Sequence, residues 1–531
     1  MPSREGETHM SKTPLDRRSF LLGSLAVGGS VALLSACGTT GGSAGSASPS
    51  ATIAAGTPKR GGLLRVGLGG GGPMETADAH VGILANTDLA RSLNLYATLF
   101  KRDPETLAPL PSLAESAESD ATGSTWTVRL IDGAEFHNGK SITAEDLIFT
   151  VQRIFEQKGA VAELMPWVDP AGMKALDART VQFNLKSPTA IFTEPFAMIA
   201  SGIVPIGYDP AKPIGSGPFE LKSFTPGELT SMKRFDNHFS DVWLDELDFV
   251  SFNDDSSRIN ALLAGQIQAT EALPPGQISA VQADGKMQII ESLSGATRFF
   301  AMAVDEEPFT DVRVRQAMRL LVDRQQMIDQ ALAGYGEVAN DTFNKYAAMY
   351  DSSLVREQNI EEAKSLLKSA GKSDLTVELA TAPYIAGTVE ASQVLVQQAK
   401  EAGVTVNLKK MDLPAYFEGY GKWPFSGDFF NGNEYFIQAG LNQLPTSTYN
   451  ITHFNDDEYN TLYKQGVAEL DEAKRKDIAA QMQKIEFDRG GNLIWTYAKV
   501  VDAVAEGVNG FVPDKYGLPL TSYDFARAWM S

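Results

Sequence analysis

Between residues 361 and 409 the chain reads Glu361-Glu362-Ala363-Lys364-Ser365-Leu366-Leu367-Lys368-Ser369-Ala370-Gly371, then Leu375-Thr376-Val377-Glu378-Leu379-Ala380. A run from Thr388 to Ala402 follows, stopped by Gly403, and then Val404-Thr405-Val406-Asn407-Leu408-Lys409. The first and third pieces predict helices closed by glycine, which takes the left-handed turn after a helix end without steric cost. The second and fourth predict strands. Two strands joined through a helix imply a right-handed crossover and a parallel pair. This stretch places the fold in the α/β class.

The pattern extends outward. Leu63-Leu64-Arg65-Val66 predicts a short strand after Gly61-Gly62, and Thr125-Trp126-Thr127-Val128-Arg129-Leu130 alternates with period two. Thr143, with Asp146 three residues on, forms a capping box. The helix it opens carries the stripe Ile148, Val151, Phe155, with Leu147 and Ile154 beside it. Asp311 caps a long helix, expected to run through Val314, Met318, Leu321, Ile328 and Leu332 to a stop at Gly334. Phe219–Phe224 and Leu229–Phe235 predict antiparallel pieces. No repeat of 20–50 residues is present. The sum is an α/β protein with several lobes.

With 531 residues the chain has room for two to four domains. Lys and Arg number 46 against 66 Asp and Glu, a formal charge of −20, with 21% charged and 43% hydrophobic residues. Such values describe a soluble globular protein, not a disordered chain or a multi-span membrane protein. The acid excess argues against a nucleic-acid partner, which needs a basic face, and against adhesion to anionic lipid through a basic patch. The single cysteine, Cys37, excludes an intramolecular disulfide and a multi-cysteine zinc site.

Asp16-Arg17-Arg18-Ser19-Phe20-Leu21-Leu22 opens an uncharged run from Leu21 to Ala36. The run is shorter than the roughly 20 residues a spanning helix needs. A basic start, a short apolar run and small residues at its end describe an export signal, expected over 1–36. Arg17 and Arg18 followed by Ser-Phe-Leu resemble the twin-arginine motif. Leu34-Ser35-Ala36-Cys37-Gly38 resembles the lipobox of bacterial lipoproteins, in which the Cys thiol is alkylated by diacylglycerol and becomes the first residue after cleavage. Residues 37–60 are almost entirely Gly, Ser, Ala, Thr and Pro and predict a lipidated tether, which holds the body about 25 Å from the membrane.

Motifs for chemistry are weak. Gly41-Gly42-Ser43-Ala44-Gly45 matches the nucleophile-elbow pattern, but it falls in the tether, where no strand or helix would hold a strained serine. Gly67-Leu68-Gly69-Gly70-Gly71-Gly72 contains the dinucleotide fingerprint after a strand. Pro73 follows at once, no apolar helix begins, and no acidic residue closes a second strand, so a glycine loop at a cleft rim is expected. The five histidines, His9, His80, His137, His238 and His453, share no metal-ligand spacing. The pairs Asp254-Asp255, Glu306-Glu307 and Asp456-Asp457 are sequence neighbours that point apart and make poor acid–base dyads. No nucleophile, base and oxyanion site assemble. Neither a catalytic residue, a metal nor a cofactor is expected. Segment 415–442 differs: nine aromatics from Tyr416 to Phe436 are interleaved with Asp428, Asn431, Asn433 and Glu434, with no helical or strand period. An irregular loop of this kind is suited to ligand binding, the rings giving area and the polar tips orientation.

Trp126 to Gly139, continuing Lys140-Ser141-Ile142-Thr143-Ala144-Glu145-Asp146-Leu147, resembles the family 5 extracellular solute-binding proteins, the peptide- and nickel-type components of ABC importers. Gly215-Ser216-Gly217-Pro218-Phe219, Pro308-Phe309-Thr310-Asp311-Val312-Arg313-Val314-Arg315-Gln316-Ala317 and Val322-Asp323-Arg324 follow in the family's order. The resemblance implies a two-lobed periplasmic-binding-protein-like fold of the cluster C type, with an extra domain in the N-terminal half and a hinge. By analogy domain I is 61–105, 205–297 and 498–531, domain II is 106–204 and domain III is 298–497, with crossings near 297 and 498 as the hinge. The implied function is capture of a small solute, first an oligopeptide, by hinge closure and delivery to permease subunits. The protein is then a lipid-anchored, extracytoplasmic monomer. The implied ligand residues are Trp423, Phe425, Asp428, Asn431, Asn433 and Tyr435. The second acid and proline of peptide-binding relatives are here Asn431-Gly432, which removes one carboxylate from recognition of a cationic terminus. The alternatives are a nickel or other-solute receptor of the same family, which the sparse histidines disfavour, a twin-arginine-exported enzyme bearing a cofactor, and a scavenging lipoprotein without a transporter.

Overall fold

The computed structural model describes residues 56–81 and 85–531. Arg17, Arg18, Cys37 and most of the tether lie outside the described residues. The body is organised by three sheets. A seven-stranded sheet runs in the order Met287–Ser292, Val500–Ala505, Ala269–Thr270, Leu63–Gly69, Glu246–Phe252, Leu229–Arg234, Phe219–Thr225. A six-stranded sheet runs Gly336–Val338, Asn492–Ala498, Thr297–Met302, Phe425–Phe430, Thr376–Thr381, Thr405–Lys410. A four-stranded antiparallel sheet runs Ala114–Ser119, Thr125–Leu130, Thr180–Asn184, Met173–Ala175. Each sheet carries its own apolar cluster: Leu64, Val66, Leu247 and Phe249 in the first, Leu379, Leu395 and Trp495 in the second, Val128, Leu147 and Phe183 in the third.

The crossover of residues 376–410 is present. Thr376–Thr381 and Thr405–Lys410 pair in parallel, and helix Thr388–Glu401 joins them. The preceding helix, Ile360–Ser369, starts where Asn359 Oδ1 accepts from Glu362 N at 3.0 Å. Helix Ala144–Gln157 opens on the expected box, with Asp146 accepting from Thr143 N at 3.1 Å. Phe219–Thr225 and Leu229–Arg234 form an antiparallel hairpin.

Two expectations are corrected. The single helix after Asp311 is two helices, Val312–Leu320 and Arg324–Leu332. Asp323 recaps the second by accepting from Gln326 N at 2.9 Å. Gln398, from helix Thr388–Glu401, accepts from Asp323 N at 3.2 Å and donates to Asp323 O at 3.0 Å. A neighbouring side chain thus satisfies the backbone groups that the break releases, so an unbroken apolar stripe spans a broken backbone. The second correction is segment 415–442, which is helix Leu413–Glu418, strand Phe425–Phe430 and helix Tyr435–Asn442 rather than an irregular loop. All six strand residues are buried. A strand covered on both faces has no solvent-facing positions to mark with polar residues and so shows no alternation, and here Ser426 and Asp428 are buried along with the phenylalanines.

The chain passes from the seven-stranded to the six-stranded sheet between Ser292 and Thr297 and returns between Ala498 and Val500. The two crossings bond to each other. Ala498 N donates to Ala296 O at 2.7 Å, Ser294 Oγ donates to Ala498 O at 2.7 Å, and Ala296 N donates to Ser294 Oγ at 3.0 Å. Among the described residues no helix is long and apolar enough to cross a membrane.

Candidate functional site

Beside these crossings lies a cavity of about 260 Å³ with walls from both larger sheets. Leu63–Gly69 is parallel to Glu246–Phe252 and to Ala269–Thr270, so these strands end together at one edge, the place where open α/β sheets present their ligands. Gly69, Asn86 and Glu271 line the cavity from that edge. Glu271 is the first residue past its strand. Its Oε1 accepts from Gly69 N at 2.6 Å and Asn86 Nδ2 at 2.5 Å, and its Oε2 accepts from the Tyr523 hydroxyl. The carboxyl is 1% exposed. Burial pushes its pKa up, and the Arg258 guanidinium works against that shift.

Arg298 and Phe429 face it from the six-stranded sheet, and Tyr384 from the connection after strand Thr376–Thr381. Arg298 is paired with Phe429 across strands Thr297–Met302 and Phe425–Phe430, so both side chains share one face, the guanidinium 5.3 Å from the ring centroid. Arg298 is 6% exposed. Burial pulls its pKa down to about 10, with Tyr384 and Asp428 opposing the shift. The Tyr384 hydroxyl contacts Gly427 O and lies 3.1 Å from Asp428 Oδ1, while the Tyr420 hydroxyl donates to Asp428 Oδ2 at 3.0 Å. Asp428 also accepts from Phe429 N at 2.7 Å.

The structure separates the other residues expected in the site. Trp423 is half-buried; its Nε1 donates to Tyr416 O at 3.1 Å and Lys409 Nζ sits 4.9 Å from its ring. Phe425 packs in a core against Phe300 and Phe309. Tyr435 is buried, its hydroxyl donating to Glu486 at 3.0 Å. Asn431 lines a second cavity of about 110 Å³ with Arg102 and Tyr516, and Asn433 Oδ1 accepts from the Tyr516 hydroxyl at 3.1 Å. Asp428 alone of the six is tied to the wall of the larger cavity, through Tyr384. Sequence reasoning missed Glu271, Arg298 and Tyr384. The first two had a signal: each is a lone charge beside or within an apolar strand. Among the described residues no three His, Cys, Asp or Glu side chains gather as metal ligands. His453 Nδ1 lies 2.6 Å from Asp305, and His80 Nε2 lies 2.8 Å from Gly202 O.

Two sheets facing each other across a cavity, with the chain crossing between them at two paired points, define a two-lobed solute receptor. The chain belongs to the bacterial extracellular solute-binding proteins, family 5, matching the middle part of that family over residues 108–476. It is similar to the oligopeptide-binding protein AppA of Bacillus subtilis (strain 168), at 26% identity over 538 aligned positions covering 92% of this chain and 95% of that one. It is similar to the glutathione-binding protein GsiB of Shigella dysenteriae serotype 1, at 23% over 474 positions, 84% of this chain and 91% of that one. Its fold matches the crystal structure of the ABC transporter substrate-binding protein CtaP from Listeria monocytogenes with a TM-score of 0.79 and 23% identity, over 89% of this chain and 100% of that one. The chain is a solute-binding protein and not an enzyme, and its two-lobed fold is the one the sequence resemblance implied.

Proposed function

We propose that this protein is the lipid-anchored receptor of an ABC importer and that it captures a short peptide by closing its two larger lobes on the cavity beside Glu271 and Arg298. The observation that carries the reading is the cavity itself, to which both sheets contribute walls. A ligand touching both lobes favours the closed state over the open one, so binding and closure are a single population shift. The closed form docks on permease subunits supplied by other chains. The peptide class is supported by AppA, named for oligopeptides, and by GsiB, named for glutathione, itself a tripeptide. In this reading Asp428, tied to the cavity wall through Tyr384, pairs with a ligand ammonium in a dry cleft, while Trp423, Phe425, Asn431, Asn433 and Tyr435 lie away from the cavity and act as scaffold. Domain I (61–105, 205–297, 498–531) is built on the seven-stranded sheet, domain II (106–204) on the four-stranded and domain III (298–497) on the six-stranded. Arg17 and Arg18 direct export, Cys37 carries the lipid, and the protein works as a monomer outside the cytoplasm.

Native mass spectrometry of the freshly purified mature protein tests this. A peptide-mass adduct is expected, and adding that peptide to stripped protein should reduce the radius of gyration in solution scattering. A flavin or a metal cluster as the only adduct refutes the receptor. A Cys37→Ser chain still found in the membrane fraction refutes the anchor.

A further inference from the structure

Among the described residues the buried guanidinium groups other than that of Arg298 each face a carboxylate or several carbonyls, although Arg102 Nε and Nη2, Arg258 Nε and Arg356 Nε also lack a hydrogen-bond partner. Arg91, Arg153, Arg258 and Arg324 each pair with a carboxylate. Arg315 and Arg319 are each held by several backbone carbonyls. Arg298 is the exception. Nη1 donates to the carbonyl of its own neighbour Thr297 at 3.2 Å, Nε has no partner, and among the described residues it makes no ion pair. The acids nearest the cavity are engaged elsewhere: Glu271 with Gly69, Asn86 and Tyr523, and Asp428 with Tyr384, Tyr420 and Phe429 N. The two other cations on the wall are paired, Arg258 with Asp255 at 2.5 Å and Lys499 with Glu291 at 2.8 Å. A cation taken out of water without an anion is costly, and the cost is recovered only when one arrives.

We infer that Arg298 is the receptor for a carboxylate on the captured solute, which makes the ligand class a small acid such as a short peptide with a free C-terminus. This inference rests on the receptor reading for the place of the ligand and adds the ligand's charge. A single planar fork with one free edge matches a planar carboxylate, whereas a phosphate dianion calls for more than one cation. Arg298 is the second residue of its strand and adjoins the crossings, so the carboxylate occupies the hinge end of a cavity of about 260 Å³ and the rest of the ligand extends away from it. A chain with more residues beyond that carboxylate has no room there.

The test uses stripped mature protein, isothermal titration and thermal shift, with two matched probe pairs: trialanine and trialanine amide, glutarate and glutaramide. At least one acid should bind, its amide about 10- to 100-fold more weakly, the loss expected for a charge-assisted hydrogen bond. Arg298→Met should bind the acid no better than the amide, and Arg298→Lys should fall between. Without ligand, Arg298→Met should melt no lower than the native chain, because it removes an uncompensated buried charge. A merely structural arginine does the reverse, lowering the melting temperature and leaving the acid-to-amide ratio unchanged. Equal binding of trialanine and its amide, or full trialanine affinity in Arg298→Met, overturns the inference and leaves the peptide receptor standing. Arg298-dependent binding of glutarate without trialanine upholds the inference and overturns the peptide assignment. Binding of neither acid overturns the inference.

Discussion

Glu271 joins three chain segments at the edge of the seven-stranded sheet, and two substitutions separate its shape from its charge. Glu271→Ala leaves Gly69 N, Asn86 Nδ2 and the Tyr523 hydroxyl without the acceptor each now has. A buried donor left unsatisfied costs about 1–3 kcal/mol. Asn86 lines the cavity and can turn to water, and the loss of a buried carboxyl offsets part of the penalty, so a net destabilisation of about 3 kcal/mol is expected. Glu271→Gln keeps an oxygen toward Gly69 and Asn86 and turns an amide toward the Tyr523 oxygen, which accepts when its own proton rotates away. Its cost should stay near 1 kcal/mol. At roughly 2–4 °C per kcal/mol for a domain of this scale, the Ala variant should melt about 6–12 °C lower and the Gln variant about 2–4 °C lower. Differential scanning calorimetry on stripped protein measures both. Equal melting of the two variants, or an Ala variant as stable as the native chain, would falsify the claim that these hydrogen bonds hold the strand ends together.

Asp341→Asn keeps a residue that tolerates the left-handed φ of 61° but removes the charge facing Arg324 Nη2 at 2.8 Å and Arg356 Nε at 2.5 Å, the latter out of line for a hydrogen bond. A loss of about 3–5 kcal/mol in urea unfolding is expected, and a change below 1 kcal/mol contradicts the buried-triad account. Glu486 is fully buried, accepts from Tyr435, and has its pKa pushed up to about 7 by burial. Its folded value lies above the unfolded one, so its contribution is complete below about pH 4.5 and is lost as pH rises through 7. The stability difference between the native chain and Glu486→Gln should therefore fall by about 3 kcal/mol between pH 4.5 and 8; a flat difference rules out the raised pKa. Ser294→Ala cuts the hydrogen bonds to Ala498 O and from Ala296 N that tie the crossings. It should cost about 1–3 kcal/mol and speed amide exchange at Ala296 and Ala498, and unchanged exchange there shows the crossings to be held by other contacts.

Much of the fold was legible because local signals agreed with tertiary ones. Gly371 and Gly403 mark helix ends that are helix ends, and the alternation at Thr125–Leu130 is a strand with those bounds. Legibility failed where a distant segment supplied what the local sequence lacked. The break after Leu320 is satisfied by Gln398 from a distant helix, and its one local mark is Asp323, which caps the helix that follows. Phe425–Phe430 lost its period by being enclosed on both sides. The site was harder still. An aromatic-rich segment draws attention, yet Phe425 and Tyr435 spend their rings in cores, while Arg298 and Glu271 come to one cavity from strands that only the sheet order brings together. Charge isolated in apolar sequence marks the cavity wall better than aromatic density does.

The pairing of Thr297 with Tyr497 places the entry and exit of the inserted half on adjacent strands, about 5 Å apart. A segment whose ends meet is a closed excursion of the chain, so residues 297–498 should be separable as a self-sufficient polypeptide. Fusing those ends by a short turn and opening the segment at an exposed loop makes a permuted form of that half alone, with its finished shape kept.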